Sequence, residues 1–278
     1  MSWLTKTLTS SIGKKVLMAL TGLFLCAFLL VHLSGNFQLF KHDDGYAFNT
    51  YAVFMTTFPL IKVISYGNYF FILFHAFWGL YITYKNRQAR PVGYVVNKNQ
   101  SSPYSRNMAI LGTILLVYIV VHMSDFWYKF HYEHLPYVQY TEELKTGAVT
   151  AADMPEGYTQ DVKKLEISDE AAGTHTVIVK DLYKVVSHAF KNIGLVLFYV
   201  LAMFALAFHL VHGFQSAFQS LGLRHSKYTP LIKGIRSLCA EADSQWQTDW
   251  TDHAVAGNWQ DGIWIDCSDG KKRLIEPG

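Results

Sequence analysis

The sequence predicts an all-α membrane protein that is built as a bundle of transmembrane helices. Of its 278 residues, 51% are hydrophobic and only 16% are charged, and the mean hydropathy is positive at +0.13. A soluble enzyme of this size has a more polar composition. Four long runs without charged residues support the prediction, because a helix needs about 20 apolar residues to cross a bilayer.

The apolar runs place four predicted spans within a membrane domain at residues 1–227. The spans cover residues 16–40, 63–84, 107–127 and 192–213. The first run could also be a secretory signal peptide, but it is longer than an h-region and lacks a small-residue cleavage site. A polar loop at residues 128–186 separates the last two spans, and the β-like stretch at 174–179 predicts a small hairpin or cap there.

Basic residues predict the orientation of the spans. The N-terminal segment contains Lys6, Lys14 and Lys15, and the connection after the second span carries basic residues and no acid. The loop at 128–186 carries more acids than bases. We therefore expect the N-terminus on the cytoplasmic side and the long loop on the outer side.

Several kinds of site are excluded by the cysteine pattern and the charge. Cys26, Cys239 and Cys267 lie far apart, so the chain has no CxxC pair for an iron–sulfur cluster and no CxxCH for covalent haem. The net charge is only +3, and no dense basic patch is present. Nucleic acid is therefore not an expected partner.

Each predicted span contains a histidine. These residues are His32, His75, His122 and His209. An ionisable side chain inside a span is costly, so it is a functional candidate. Any one of them could instead hydrogen-bond a neighbouring helix. One histidine on each of four helices favours a shared site.

The depth of the histidines predicts two pairs. His32 and His122 fall in the outer half of the membrane, and His209 falls in the inner half. His75 lies close to the midpoint of its span and is assigned to the inner half partly by elimination. Two facing imidazoles can hold a haem iron from both sides, which gives a centre that transfers electrons. Small residues beside the histidines leave room for a macrocycle, although they also serve helix packing.

Other histidine chemistries predict different patterns. His209 and His212 are spaced to bind one metal, but di-iron membrane hydroxylases contain several such clusters. The diheme b of quinol:cytochrome c oxidoreductases places two histidines on each of two helices. A transporter with histidine proton relays is the alternative function, although no internal repeat or interrupted helix is visible.

Segments around all four histidines resemble the diheme cytochrome b558 subunit of succinate:quinone oxidoreductases, the succinate dehydrogenases and fumarate reductases. The resemblance extends over residues 8–230. It implies that the four histidines are axial ligands of two b haems and that helix one pairs with helix three and helix two with helix four. The segments are SSIGKKVLMALTGLFL, VHLSGNFQ, FHAFWGLYITYKNRQAR, LVYIVVHMSDFW and FHLVHGFQSAFQSLG.

The resemblance also implies the partners and the location of the chain. It would anchor a flavoprotein subunit and an iron–sulfur subunit to the cytoplasmic membrane of a bacterium, within the lipid bilayer. Electrons would pass between these subunits and a membrane quinone, with menaquinone expected. The chain itself has no flavin-binding GxGxxG and no cysteine cluster, as expected of an anchor.

Two further groups of residues are hypotheses that follow from this resemblance. The haem propionates need cationic or hydrogen-bonding partners at the cytoplasmic side, where the same residues could equally be flanking charges of the spans. The quinone site needs polar residues near the outer haem. Some relatives have a proton-exchanging acid there, whereas here only Asp43 and Asp44 lie nearby, upstream of it. The propionate candidates are Ser11, Lys14, Lys15, Arg106 and Arg224, and the quinone candidates are Asn36, Gln38, Asn49 and Thr56.

The chain departs from this family at its C-terminus. Relatives have a fifth span, but residues 228–278 form a polar tail rich in Trp and Asp. Either the tail is natural or a reading-frame change after Ile232 has replaced a hydrophobic helix. All four candidate ligands lie upstream of it.

Overall fold

The computed structural model describes residues 2–89 and 103–223, residue 234 and the backbone of two short strands in the tail. The described part is mostly helical. The rest of the tail and Arg224 lie outside the described residues, so the expectation about a fifth span falls there too. The helices are α1 (Trp3–Thr9), α2 (Ser11–Asn36), α3 (Tyr46–Thr57), α4 (Pro59–Gln88), α5 (Pro103–Arg106), α6 (Met108–His122), α7 (Lys129–Tyr132), α8 (Leu182–Ala189) and α9 (Ile193–Ser220).

Four helical segments are long and apolar enough to span a membrane, and each matches one predicted span, two of them starting one residue later than predicted. A 3₁₀ turn extends α2, and a π-helical segment, Met123–Tyr128, joins α6 to α7. The helices run beyond the charge-free runs because polar residues at a helix end reach the headgroups. Lys85 and Arg87 in the last turn of α4 are also favourable at the negative end of the helix dipole. The segments are Ser11–Phe40, Pro59–Gln88, Met108–Tyr132 and Ile193–Ser220.

Local signals define where these helices begin. The Ser10 hydroxyl accepts the Gly13 N–H at 3.0 Å and caps α2. Pro59 occupies the first position of α4, where its missing N–H has no cost. The Asn192 side chain accepts the N–H groups of Gly194 and Leu195 and caps α9. Each span therefore starts at a sequence-encoded cap or proline, except α6.

The four spanning helices form an antiparallel square. The principal contacts join α2 to α4 and α9, and join α6 to the same two helices. Consequently α2 lies diagonally opposite α6, and α4 lies diagonally opposite α9. The outside of the square is apolar, with Leu30, Val63 and Leu201 each more than 60% exposed. A surface of this kind is suited to lipid rather than water.

A four-stranded antiparallel sheet lies within the connection between α7 and α8. Its strand order is β2-β1-β4-β3. The cap expected at residues 174–179 is present as β4, but the prediction of an all-α protein was too narrow. The two edge strands are mostly exposed and show no alternation of buried residues, so their sequences carry little strand signal. The strands are β1 (Tyr137–Glu143), β2 (Val149–Asp153), β3 (Lys164–Asp169) and β4 (Thr174–Lys180), with β5 (Trp264–Asp266) and β6 (Arg273–Ile275) pairing separately in the tail.

The sheet packs on one end of the bundle, which we call the cap end; the opposite end is the far end. Buried Val177 and Val179 of β4 pack in one core with Val53 of α3 and Phe130 of α7. A second core joins α3 and α8 to the 3₁₀ turn after α2. Together these two cores form an apolar layer over the cap end of the bundle.

A buried polar network connects the cap to α3. The Asn49 amide, which has no exposed surface, donates to the Tyr140 hydroxyl at 2.8 Å and to the Asp181 carboxylate at 3.0 Å. Its oxygen accepts the Tyr183 N–H at 2.9 Å. The Tyr140 hydroxyl donates in turn to the backbone oxygen of Asp44 at 3.0 Å. Every hydrogen-bonding group of this amide except one lone pair is satisfied, so the network stabilises the cap.

We expect Asn49→Leu to lower the free energy of unfolding by about 2–3 kcal/mol, because it removes three buried hydrogen bonds, to the Tyr140 hydroxyl, the Asp181 carboxylate and the Tyr183 N–H. Thermal unfolding of the protein in detergent measures this as a lower midpoint. The control is Thr50→Ala, because the Thr50 hydroxyl donates only within its own helix. Equal shifts in both variants would contradict the role of the network.

Asp181 makes the stability of the cap depend on pH. Burial raises the pKa of Asp181 above its ordinary value of 3.8, against hydrogen bonds from Lys184 and Asn49 that lower it. Because its pKa is raised in the folded state, Asp181 favours folding at pH values below its ordinary pKa. This contribution to stability is lost as the pH rises through the folded-state pKa. Asp181→Asn keeps an acceptor oxygen but does not titrate, so it should lose less stability than wild type as the pH rises above the ordinary pKa of 3.8. Denaturation at each pH tests this, and parallel curves for the two proteins would refute it.

Candidate functional site

The structure brings the four span histidines together as two pairs. The imidazole centroids of His32 and His122 are 5.7 Å apart, and the two rings are inclined at 87°. Those of His75 and His209 are 6.2 Å apart at 66°. We call them the cap pair and the far pair, because His32 and His122 lie at the helix ends nearest the sheet.

Each pair joins two helices that are diagonally opposite. The cap pair connects α2 with α6, and the far pair connects α4 with α9, whereas the principal helix contacts run along the sides of the square. A diagonal contact crosses the axis of the bundle. The imidazoles therefore meet inside the protein, away from the lipid-facing surface.

Three helices give the same separation between the pairs. On α2, Thr21 contacts His75 of the far pair, eleven residues before His32. On α9, Tyr199 contacts His122 of the cap pair, ten residues before His209. On α6, a side chain at Gly112 would meet His209, ten residues before His122. At 1.5 Å per residue, the pairs lie about 15 Å apart along the bundle.

A hydroxyl group orients His75. Thr21 Oγ1 donates to the Leu17 backbone oxygen at 3.0 Å and lies 3.0 Å from Nδ1 of His75. Because the single hydrogen of the hydroxyl is directed at Leu17, we infer that its oxygen accepts the Nδ1–H and that Nε2 of His75 keeps its lone pair. Metal-bound histidines are oriented in this way by a partner on their other nitrogen.

The other imidazoles differ in their partners. The Tyr199 hydroxyl lies 3.4 Å from Nδ1 of His122, and the His32 ring stacks on Phe28 with centroids 5.5 Å apart. Nδ1 of His209 is buried and has no hydrogen-bond partner among the residues that the structure describes. Aromatic rings surround the cap pair more closely than the far pair. Those around His122 are Tyr118, Phe126 and Tyr199.

The spacing of both pairs fits a metal ion held between them. Two imidazoles bonded to one metal at about 2.0–2.1 Å have ring centroids about 6 Å apart. Within residues 2–89 and 103–223, no three His, Cys, Asp or Glu side chains converge as a metal site. A metal at either pair would therefore need further ligands from outside this set of side chains, and a cofactor could supply them. His212 adds no third ligand to the far pair.

The predicted propionate contacts lie at the far end of the bundle. Ser11, Lys14 and Lys15 belong to the first turns of α2, and Arg106 ends α5, which packs on α9. The ammonium group of Lys14 lies over the Tyr81 ring, 5.7 Å from its centroid. These basic residues are therefore grouped at one end, on the same side as the far pair.

The predicted quinone residues are spread over the cap end. Asn36 ends α2 one turn beyond His32, and Gln38 follows in the 3₁₀ turn. Thr56 donates within α3 to the backbone oxygens of Ala52 and Val53. The Asn49 amide is committed to the cap network described above. Asn36 and Gln38 are thus the two candidates that lie next to the cap pair along the chain.

Comparison of the chain with protein-family models, curated proteins and solved structures finds no match.

Sequence reasoning missed the residues that support the histidines. Thr21, Tyr199 and Gly22 contact imidazoles from neighbouring helices, but each is an ordinary residue of an apolar span. A Cβ atom at Gly22 would lie 3.3 Å from the His75 ring, so this glycine allows the close approach of α2 and α4. A π-helix directly after His122 is another feature that often marks functional sites. The one sequence signal that could have suggested Thr21, Gly22 and Tyr199 is that each lies ten or eleven residues, about three helical turns, before the histidine of its own helix.

We expect Thr21→Val to change the tautomer of His75, because valine keeps the shape of threonine but removes the acceptor of the Nδ1–H. The fraction of the Nδ1–H form should fall in ¹⁵N spectra of histidine-labelled protein that has not been supplied with any cofactor. Thr113→Val on α6 is the control, since its hydroxyl donates within its own helix. An unchanged His75 signal would contradict the assigned hydrogen bond.

Proposed function

We propose that this chain is the membrane-anchor cytochrome b subunit of a succinate dehydrogenase or fumarate reductase. It would pass electrons through two b haems between an iron–sulfur subunit and menaquinone or another membrane quinone. The observation that carries the proposal is the pair of diagonal imidazole contacts inside an apolar four-helix bundle. Their spacing and their two-ligand composition suit a cofactor that brings four ligands of its own.

Each pair of histidines would bind the iron of one haem from both sides. When bound, the iron of a haem accepts and releases one electron. Two imidazoles per iron leave no open position for oxygen, so these residues favour electron transfer over oxygen chemistry. Thr21 orients His75 with Nε2 free to bind, and the apolar helix surfaces exclude water from the interior.

The two depths suit electron transfer across the bilayer. In the orientation predicted from the basic residues, the far end faces the cytoplasm, where the flavoprotein and the iron–sulfur subunits would dock. The basic residues at the far end would bind the propionates there. Quinone would react near the cap pair, where Asn36 and Gln38 offer hydrogen bonds.

A histidine proton relay in a transporter is the competing function. Transporters bind substrates at interrupted helices near the middle of the membrane. Here α2, α4 and α9 are continuous over 26, 30 and 28 residues. The imidazoles also form two separate pairs about 15 Å apart, which is too far for direct proton transfer between them.

A dithionite-reduced minus oxidised spectrum with haem quantitation tests the proposal. We expect two b haems per chain in the wild type. His32→Ala and His122→Ala should lose the same centre, and His75→Ala and His209→Ala should lose the other. This pattern would separate ligand loss from general misfolding, which removes both centres together.

His212→Ala is the matched control, because His212 lies on the same helix as His209 and in neither pair. It should retain both haems. A colourless wild-type protein would refute the proposal and favour a proton relay. If His212→Ala loses as much of one haem as His209→Ala does, the ligand assignment is refuted.

A further inference from the structure

Asn68 is a buried amide within a membrane-spanning helix. Its side chain is only 4% exposed, and its Oδ1 atom has no hydrogen-bond partner among the described residues. A polar group that is buried without a partner costs free energy, and lipid cannot supply the partner. The Oδ1 atom of Asn68 is therefore available to contact a group bound inside the bundle.

The spacing along α4 places Asn68 on the inner face of the bundle. Asn68 lies seven residues before His75, which is close to two helical turns, so both side chains leave the helix on the same side. On the opposite helix, Ala202 lies seven residues before His209 and is 1% exposed. Because His75 and His209 meet, Asn68 and Ala202 face each other across the axis. The alanine side chain has no polar atom that could serve as a partner of the amide.

Asn68 lies closer to the cap pair than to the far pair. Seven residues correspond to about 10 Å from His75 towards the cap end. The two pairs are about 15 Å apart, so about 5 Å remain to the level of His32 and His122. The ligands of the cap pair come from α2 and α6. A planar group held between them therefore presents its edges to α4 and α9, and Asn68 is on α4.

We propose that Asn68 contacts the haem held by His32 and His122 and lowers its reduction potential. This inference rests on the proposed function. With two neutral imidazoles as ligands, the oxidised haem carries one more positive charge than the reduced haem. An amide can turn its oxygen towards that charge, and in a low-dielectric interior this stabilises the oxidised form. Among the described residues, no hydrogen bond holds the Oδ1 atom of Asn68 in a different direction.

A redox titration of the haem absorbance tests the inference. Asn68→Leu, which removes the amide but keeps the volume, should raise the midpoint potential of the cap-pair centre. The potential of the far-pair centre should change much less. The single-centre variants His32→Ala and His75→Ala assign the two potentials. Asn68→Ala provides a second removal of the amide if leucine prevents haem incorporation.

Ser65→Ala is the control, because Ser65 lies on the same helix and its hydroxyl donates to the Ile61 backbone oxygen. It should leave both potentials unchanged. A wild type with two haems and Asn68 variants with unaltered potentials would overturn this inference and leave the proposed function intact. A larger shift of the far-pair centre would also overturn it. A wild type without haem would overturn both.

Discussion

An imidazole ring inside a bilayer needs partners for its polar nitrogens, because lipid supplies none and burial without a partner is costly. In this bundle each imidazole lies beside a histidine ring from the diagonally opposite helix, with ring centroids 5.7 and 6.2 Å apart in the two pairs. Two neutral imidazoles cannot satisfy each other fully, since at most one N–H can point at one lone pair. The rest of the interior is consistent with this constraint. Hydroxyls lie beside Nδ1 of His75 and His122, and glycine allows close approach beside His75.

The cap stabilises the end of the bundle that carries the cap pair. Gly35 follows His32 by three residues, and a Cβ atom there would lie 2.5 Å from the ring of Tyr51. This contact brings α3 against the end of α2. The Asn49 network then joins α3 to the sheet and to α8. The polar connection therefore supports the end of α2 that carries His32.

Much of this arrangement can be predicted from the sequence, because a bilayer restricts the choices. Only helices about 20 residues long satisfy the backbone in lipid, so the four spans follow from charge-free runs. Their alternating direction then sets the depth of each histidine. Depth pairs His32 with His122, and His75, which lies near the midpoint of its span, is paired with His209 partly by elimination. The diagonal placement of the pairs could not be predicted in this way. It depends on which helices become neighbours, and no span carries a local signal for that.

The structure of the cap, in contrast, could not be predicted from the sequence in this detail. Its packing depends on contacts between residues far apart in the chain, such as Asn49 with Asp181. Asn49 resembles a ligand-binding residue in sequence, but its amide is used inside the protein. Thr21 and Asn68 could not be told from other polar residues in a span until their distance from a histidine was known. Side-chain partners across helices are tertiary facts, and periodicity does not report them.

The central claim is that each diagonal histidine pair holds a haem. An electron cryomicroscopy map of the purified protein tests it most directly. We predict flat density between the imidazoles of both pairs, at two levels about 15 Å apart along the bundle. Imidazoles of either pair that contact each other directly, with no density between them, would contradict the claim.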